Sequence, residues 1–259
     1  NSVNYTTLNA SGTSASLDGI PGLSLTVNSL SLLINKSSDV GNPNKVLDFA
    51  DTDDAVNAND ALATALTVAT GPASSIDIDI DGDEGSLLQV AGNLDLGLFG
   101  LVTLSGDFAF KKATGDFTIA DGPTSSQLTS VEYLAVGGNV TTASVDAGGV
   151  GITLTGIEFA MVLVSDETNS VNYTTVNASV ASASLDGIPG LTLTVNSLSL
   201  LVNKSSDAGN PNKVLDFADT DDAVNANDGQ AAALTVVTGP ASSIDLDMDG
   251  DEGSLLQVA

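Results

Sequence analysis

Apolar and polar residues alternate along most of this chain. Leu23, Leu25 and Val27 are spaced by Ser24 and Thr26, Leu94, Leu96 and Leu98 by Asp95 and Gly97, and Phe108 and Phe110 by Ala109. Ile76, Ile78 and Ile80 alternate with Asp77, Asp79 and Asp81. A period of two puts successive side chains on opposite faces of a pleated strand, so these runs predict strands with one apolar face. The first run changes phase: Leu30, Leu32 and Ile34 resume after Asn28-Ser29 one position out of step, which predicts a β-bulge. No stretch holds an i, i+3, i+4 stripe. The Ala-rich stretch 60–68 comes nearest, with room for one or two helical turns that Thr64, Thr67 and Val68 disfavour.

Turn residues punctuate the runs. Asp18-Gly19-Ile20-Pro21-Gly22 and Asp146-Ala147-Gly148-Gly149 each separate two alternating segments. Gly41-Asn42-Pro43-Asn44, Thr70-Gly71-Pro72 and Asp121-Gly122-Pro123 mark further turns. Strands joined by short turns are antiparallel neighbours. The predicted fold class is therefore all-β.

The pattern also repeats at long range. Residues 1–91 reappear without a gap as 169–259, offset by 168, with 79 of 91 positions identical. Several of the differences are single apolar steps, such as Leu8 to Val176, Ile34 to Val202, Ile78 to Leu246 and Ile80 to Met248. A fixed period is the signature of tandem-repeat architecture. The chain divides into a partial unit (1–91), the remainder of a 168-residue unit (92–168) and a second copy (169–259). Within the unit, Ala15-Ser16-Leu17-Asp18 and Gly22-Leu23-Ser24-Leu25-Thr26 are echoed by Ala143-Ser144-Val145-Asp146 and Gly151-Ile152-Thr153-Leu154-Thr155, and more loosely by the run from Gly100-Leu101 to Phe108-Ala109-Phe110. The module is a long hairpin used about three times per unit.

These features predict an elongated array of antiparallel hairpins, as a β-solenoid or a continuous β-meander or tube, with strands across the long axis. At about 14 residues per strand and turn, a unit would hold about 12 strands and advance ~58 Å in a single sheet, or about half that in two layers. The chain reads as one and a half units cut from a longer array. Ser254-Leu255-Leu256-Gln257-Val258-Ala259 is expected to pair as residues 86–91 do and to leave an open edge for the next unit.

Charge narrows the function classes. The chain carries 33 Asp and Glu against six Lys and no Arg, for a net charge of −27. Such a surface repels phosphate backbones and anionic lipid and attracts hard cations, so nucleic acid is excluded as a partner. With no Cys and no His, a thiol, a haem attachment or a Cys/His zinc site is excluded as well. No apolar run reaches the roughly 18 residues of a membrane-spanning helix.

The acids are clustered. Asp77-Ile78-Asp79-Ile80-Asp81-Gly82-Asp83-Glu84-Gly85 resembles the D-x-D-x-D-G opening of a calcium loop, and its copy carries Asp245, Asp247, Asp249, Asp251 and Glu252. Position 12 of the EF-hand pattern falls on Leu88 and no helices flank the run, so an EF-hand is excluded. On a strand, Asp77, Asp79 and Asp81 share one face about 6.5–7 Å apart, and Asp83 and Glu84 or a neighbouring strand would have to complete a site. A second cluster joins Asp48, Asp51, Asp53, Asp54 and Asp60, with copies at Asp216, Asp219, Asp221, Asp222 and Asp228. Asp116 and Asp121 form a weaker third. Oxygen-only ligands select calcium over zinc or copper, so calcium is the cofactor expected if these clusters hold one. The alternative for each cluster is a solvated polar face or turn. Without His, and with no Ser-x-x-Lys frame, no singled-out carboxylate pair and no phosphate loop, no catalytic role is expected. N-x-[ST] sequons stand at Asn4, Asn9, Asn35 and Asn139, with copies at Asn172, Asn177 and Asn203.

A long near-identical repeat, an acidic Arg-free and Cys-free composition and Asp-rich loops between β hairpins resemble the giant tandem-repeat surface and secreted proteins of bacteria, the biofilm-adhesin and extracellular-fibre class. The calcium β-roll nonapeptide G-G-x-G-x-D-x-U-x is absent. The resemblance implies an exported, extracellular or cell-surface structural segment of a fibre, stalk or adhesin shaft, stiffened by calcium, whose partners are further copies of its own repeat and divalent cations. Two other readings stand beside it: a ligand-binding module that uses the acidic connector, and a lipid-carrying β groove.

Overall fold

The long alternating runs become long strands. The structure is a computed structural model and describes residues 2–17, 20–49, 64–121, 124–218 and 232–259. Fifteen strands form and no helix is present among the described residues. They are β1 (Tyr5–Gly12), β2 (Ala15–Leu17), β3 (Leu23–Ser37), β4 (Leu66–Gly71), β5 (Ser74–Ile78), β6 (Leu87–Leu98), β7 (Val102–Asp121), β8 (Thr124–Ala147), β9 (Val150–Asp166), β10 (Val171–Asp186), β11 (Leu193–Ser205), β12 (Val214–Asp216), β13 (Leu234–Gly239), β14 (Ser242–Leu246) and β15 (Leu255–Val258). The end of the Ala-rich stretch is strand β4, not helix. The expected long hairpin is used three times per unit: β1 and β2 with β3, β6 with β7, and β8 with β9.

Eleven strands make one antiparallel sheet in the order β1-β3-β6-β7-β8-β9-β10-β11-β15, with β2 beside β3 and β12 beside β7. Strands β4 and β5, and β13 and β14, form two separate hairpins. Among the described residues the sheet is open, and no closed barrel or solenoid forms. Strand β10 repeats β1, β11 repeats β3 and β15 repeats the start of β6. Their register is preserved: Asn35 pairs Leu87 and Leu32 pairs Val90, while Asn203 pairs Leu255 and Leu200 pairs Val258. From β1 to β10 the ladder advances six steps, about 29 Å at ~4.8 Å per strand. This corrects the expected 12 strands and the ~58 Å of a single sheet. The advance is the half-length expected of two layers, reached in one sheet, and the unit holds nine strands, β1 to β9, among its described residues. The strands are longer than composition suggests, up to 24 residues in β8, so the unit holds fewer of them.

The phase change at Asn28-Ser29 is a bulge, where the β3–β6 register shifts between Val27 and Ser29. Neighbouring strands break register at the same level. Strand β8 shifts opposite Ser105 and Gly106, and Gly156 in β9 and Ser197 in β11 take φ values of 58° and 63°. An extra residue swaps the two sides of a strand, so the bulges keep apolar residues on one face along the whole strand length. One row on that face runs Leu32, Val90, Phe110, Val136, Met161, Val176, Val202 and Leu256 across eight strands. Nearer the hairpin turns, a second row runs Leu98, Val102, Val145, Ile152, Leu185 and Leu193. This open face is only partly buried.

The other face is covered at one end of the strands. There Phe117, Ile119, Tyr133, Val162, Val164 and Tyr173 form the core with Leu215, Phe217, Val236 and Leu246 from the connector of the second copy. Phe117 meets Tyr133 and Phe217 edge-on, at centroid distances of 5.3 and 6.4 Å. Toward the hairpin turns the same face is a polar row of Thr103, Ser144, Thr153 and Ser184, left uncovered.

Candidate functional site

The acidic turn closes the connector and returns the chain to the sheet. Residues Ile76, Ile78 and Ile80 point progressively inward, from exposed to fully buried, while Asp77 and Asp79 take the outer side. Asp77 accepts a hydrogen bond from the Thr67 hydroxyl across the β4–β5 hairpin at 2.6 Å, and Asp245 accepts the same bond from Thr235 at 2.6 Å. Asp79 and Asp247 are exposed. Asp81 accepts the Asp83 backbone N–H at 2.8 Å and Asp249 that of Asp251 at 2.7 Å, each closing an Asx turn. Asp48 reaches over from the start of the connector to accept the Gly82 N–H at 3.2 Å, and Asp216 accepts that of Gly250 at 3.1 Å. Both glycines are needed for this approach, since a Cβ at Gly82 would stand 2.7 Å from the Asp48 Cβ, and one at Gly250 2.9 Å from that of Asp216.

The two candidate clusters therefore meet: Asp48 and Asp81 serve one turn, Asp216 and Asp249 its copy. Asp83 and Asp251 are half-buried within these turns. Glu84 leaves the group and forms an ion pair with Lys111 on β7, while Glu252 stays exposed. Asp51, Asp53 and Asp54, with Asp219, Asp221 and Asp222, lie outside the described residues, as do Asp60 and Asp228. Among the described residues no group of three acidic side chains is placed to hold a metal ion. Of the twelve described acids in these clusters, six hold a backbone N–H or a hydroxyl: Asp48, Asp77, Asp81 and their copies Asp216, Asp245 and Asp249. Asp116 likewise accepts the Ser130 N–H, at 2.7 Å, where β7 and β8 bulge.

The turn binds the sheet through residues that acidity did not single out. Thr114 donates both its backbone N–H and its hydroxyl to the Glu84 carbonyl, at 3.2 and 3.0 Å. Burial alone would push the Lys111 ammonium down, but Glu84, helped by Tyr133, outweighs it and holds the ammonium above its ordinary value. Burial raises the Tyr133 phenol, with Lys111 opposing. The one sequence signal was the Lys111-Lys112 pair among only six lysines. Alternation sends the two to opposite faces, Lys111 to Glu84 and Lys112 to Glu132 at 3.0 Å. On the exposed polar face, the Ser105 hydroxyl and then the Asn28 amide hold the Asp95 carboxyl below its usual range.

Two sequon asparagines are structural. Asn203 is fully buried, accepts from the Thr175 hydroxyl at 3.1 Å and donates to the Leu215 carbonyl at 2.7 Å. Asn35 repeats this with Thr7 and Leu47, at 3.2 and 2.6 Å. Each amide ties the connector to β3 or β11, and neither is accessible for glycosylation. No helix among the described residues is long and apolar enough to cross a membrane. No protein-family model matches the chain, and neither a curated protein nor a solved structure matches it.

Proposed function

We propose that this chain is a structural segment of an extracellular fibre, stalk or adhesin shaft built from 168-residue tandem repeats, with no catalytic role. The observation that supports this reading is the preserved register: the second copy joins the sheet as the first does, so one unit's ladder is a template for the next. Its partners are further copies of the repeat. Calcium enters as a diffuse counter-ion for the acidic surface. The test is length. Chains carrying one, two and three additional units should lengthen by about 29 Å each in small-angle scattering and electron microscopy. A maximum dimension that levels off after the second unit would overturn the shaft reading.

A second reading, a lipid-carrying surface, is favoured by the open apolar face. A continuous apolar surface of that width is unusual on a protein in water. Titration with an environment-sensitive fatty-acid probe tests it. Saturable binding lost in Met161→Asp supports carriage, whereas no binding to the unsubstituted chain removes it.

A further inference from the structure

The two copies of the connector have nearly the same sequence and different surroundings. In the second copy, β12 adds to β7 through Val214–Ala120 and Asp216–Thr118 pairing, and β13 lies over the covered face. Glycines on both sides allow the close approach: a Cβ at Gly137 of β8 would overlap the Val237 carbonyl, and Gly239 of β13 lies against Asp107 of β7. Leu215 is 0% exposed and Val236 is 1% exposed. The first copy has no such seat. Leu47, the counterpart of Leu215, is 38% exposed; Val68, the counterpart of Val236, is 40% exposed, and Leu66 is 49% exposed. Residues 46–48 form no strand, and a Cβ at Gly71 would meet only its own hairpin partner Ser74.

We propose that the first connector, Val46 to Phe49 with the β4–β5 hairpin, is a docking arm whose ligand is the β7–β9 surface of another 92–168 segment lying ahead of it. Each unit then clasps the one before, and the arm adds a second layer of contact to the backbone ladder. This rests on the tandem-repeat reading above. The pairing is specific, because among the described residues the one such surface already holds β13 and β14, so a second copy of the same chain offers no free seat. The requirement is a further 92–168 segment joined before residue 1.

The chain lacks cysteine, so single thiols report burial cleanly. Val68→Cys and Val236→Cys are made separately and labelled with a maleimide. In the 259-residue chain Val236→Cys should react more than about tenfold slower than Val68→Cys, in proportion to how rarely the seated hairpin opens. Adding a 92–168 segment ahead of residue 1 should slow Val68→Cys to the Val236→Cys rate. Fast labelling of Val68→Cys in the extended chain, or slow labelling before extension, overturns the proposal. Hydrogen exchange on the unsubstituted chains gives the same reading should Val236→Cys unfold the hairpin: amides of residues 66–78 should become protected only on extension. The outcomes separate from those of the length test. Linear lengthening with a reactive arm defeats the clasp alone, and a protected arm without lengthening defeats the shaft alone.

Discussion

Asn35 and Asn203 are both fully buried, but the connector residues they hold are buried differently in the two copies, which makes their energetics a controlled comparison. Asn35 and Asn203 make the same two hydrogen bonds, but the Leu47 carbonyl stands beside an exposed side chain and that of Leu215 beside a fully buried one. Truncating a buried donor costs about 1–3 kcal/mol when its partner cannot turn to water. Asn203→Ala should therefore lose stability in that range, and Asn35→Ala markedly less, in urea unfolding; equal costs would mean that water reaches neither site or both. A pH effect follows from Lys111 and Tyr133, whose folded-state values both lie above the ordinary ones. A raised value favours the protonated form in the folded state. The stability it contributes is full below the unfolded values near ~10 and is lost as pH rises through the folded ones. The unfolding midpoint should fall above pH ~10, and Lys111→Met, which removes one of the two titrations and leaves the Tyr133 phenol raised without the opposing ammonium, should move the remaining fall to higher pH.

At the scale of the element, the design is a long strand kept amphipathic by bulges and covered on one face by a returning connector. Packing depends on backbone approach at Gly137, where any side chain meets the β13 backbone. Gly137→Val should destabilise by about 1–3 kcal/mol through overpacking and expose the β13–β14 hairpin to protease. Gly12→Val, at a position with open space around it that already carries Val180 in the second copy, should be near neutral. Much of this level was legible in the sequence. Alternation located β3, β6 and β7, the frame shift at Asn28-Ser29 located a bulge, and Asp146-Ala147-Gly148-Gly149 located the β8–β9 turn. Strand length was not legible, because runs such as Thr124 to Thr142 mix Ser, Thr, Gly and apolar residues without strict alternation and are kept extended by pairing with β7 and, from Glu132 onward, with β9. The acidic motif was legible as a turn but not as to its use. Residue type shows that Asp81 and Asp48 are good acceptors, whereas only the fold shows that the backbone N–H groups of Asp83 and Gly82 are what they accept.

For the whole molecule, the decisive quantity is charge. A net −27 on one chain opposes compaction, and only two ion pairs among the described residues offset it locally. Stability should therefore rise with ionic strength. Between ~10 mM and ~150 mM sodium chloride the screening length falls from about 30 to about 8 Å, shorter than the distance across the sheet. A gain of ~1 kcal/mol from this would raise the midpoint of a chain this size by roughly 2–4 °C. Calcium should act in the same diffuse way. The described carboxylates do not gather in threes, and several of them hold backbone N–H groups, so a calcium titration at fixed ionic strength should give a gradual rise without saturation, and a chelator should reverse only that increment. A midpoint that jumps and saturates at micromolar calcium would show instead that a true ligand set exists, drawing on Asp51, Asp53 and Asp54 and their copies. Repeating the titration with all three changed to Asn in both copies would then decide the matter: a lost jump places the ion there, and a retained jump places it at the Asp81 and Asp249 turns. In either case the register that carries one unit into the next is a property of the sheet and is unaffected.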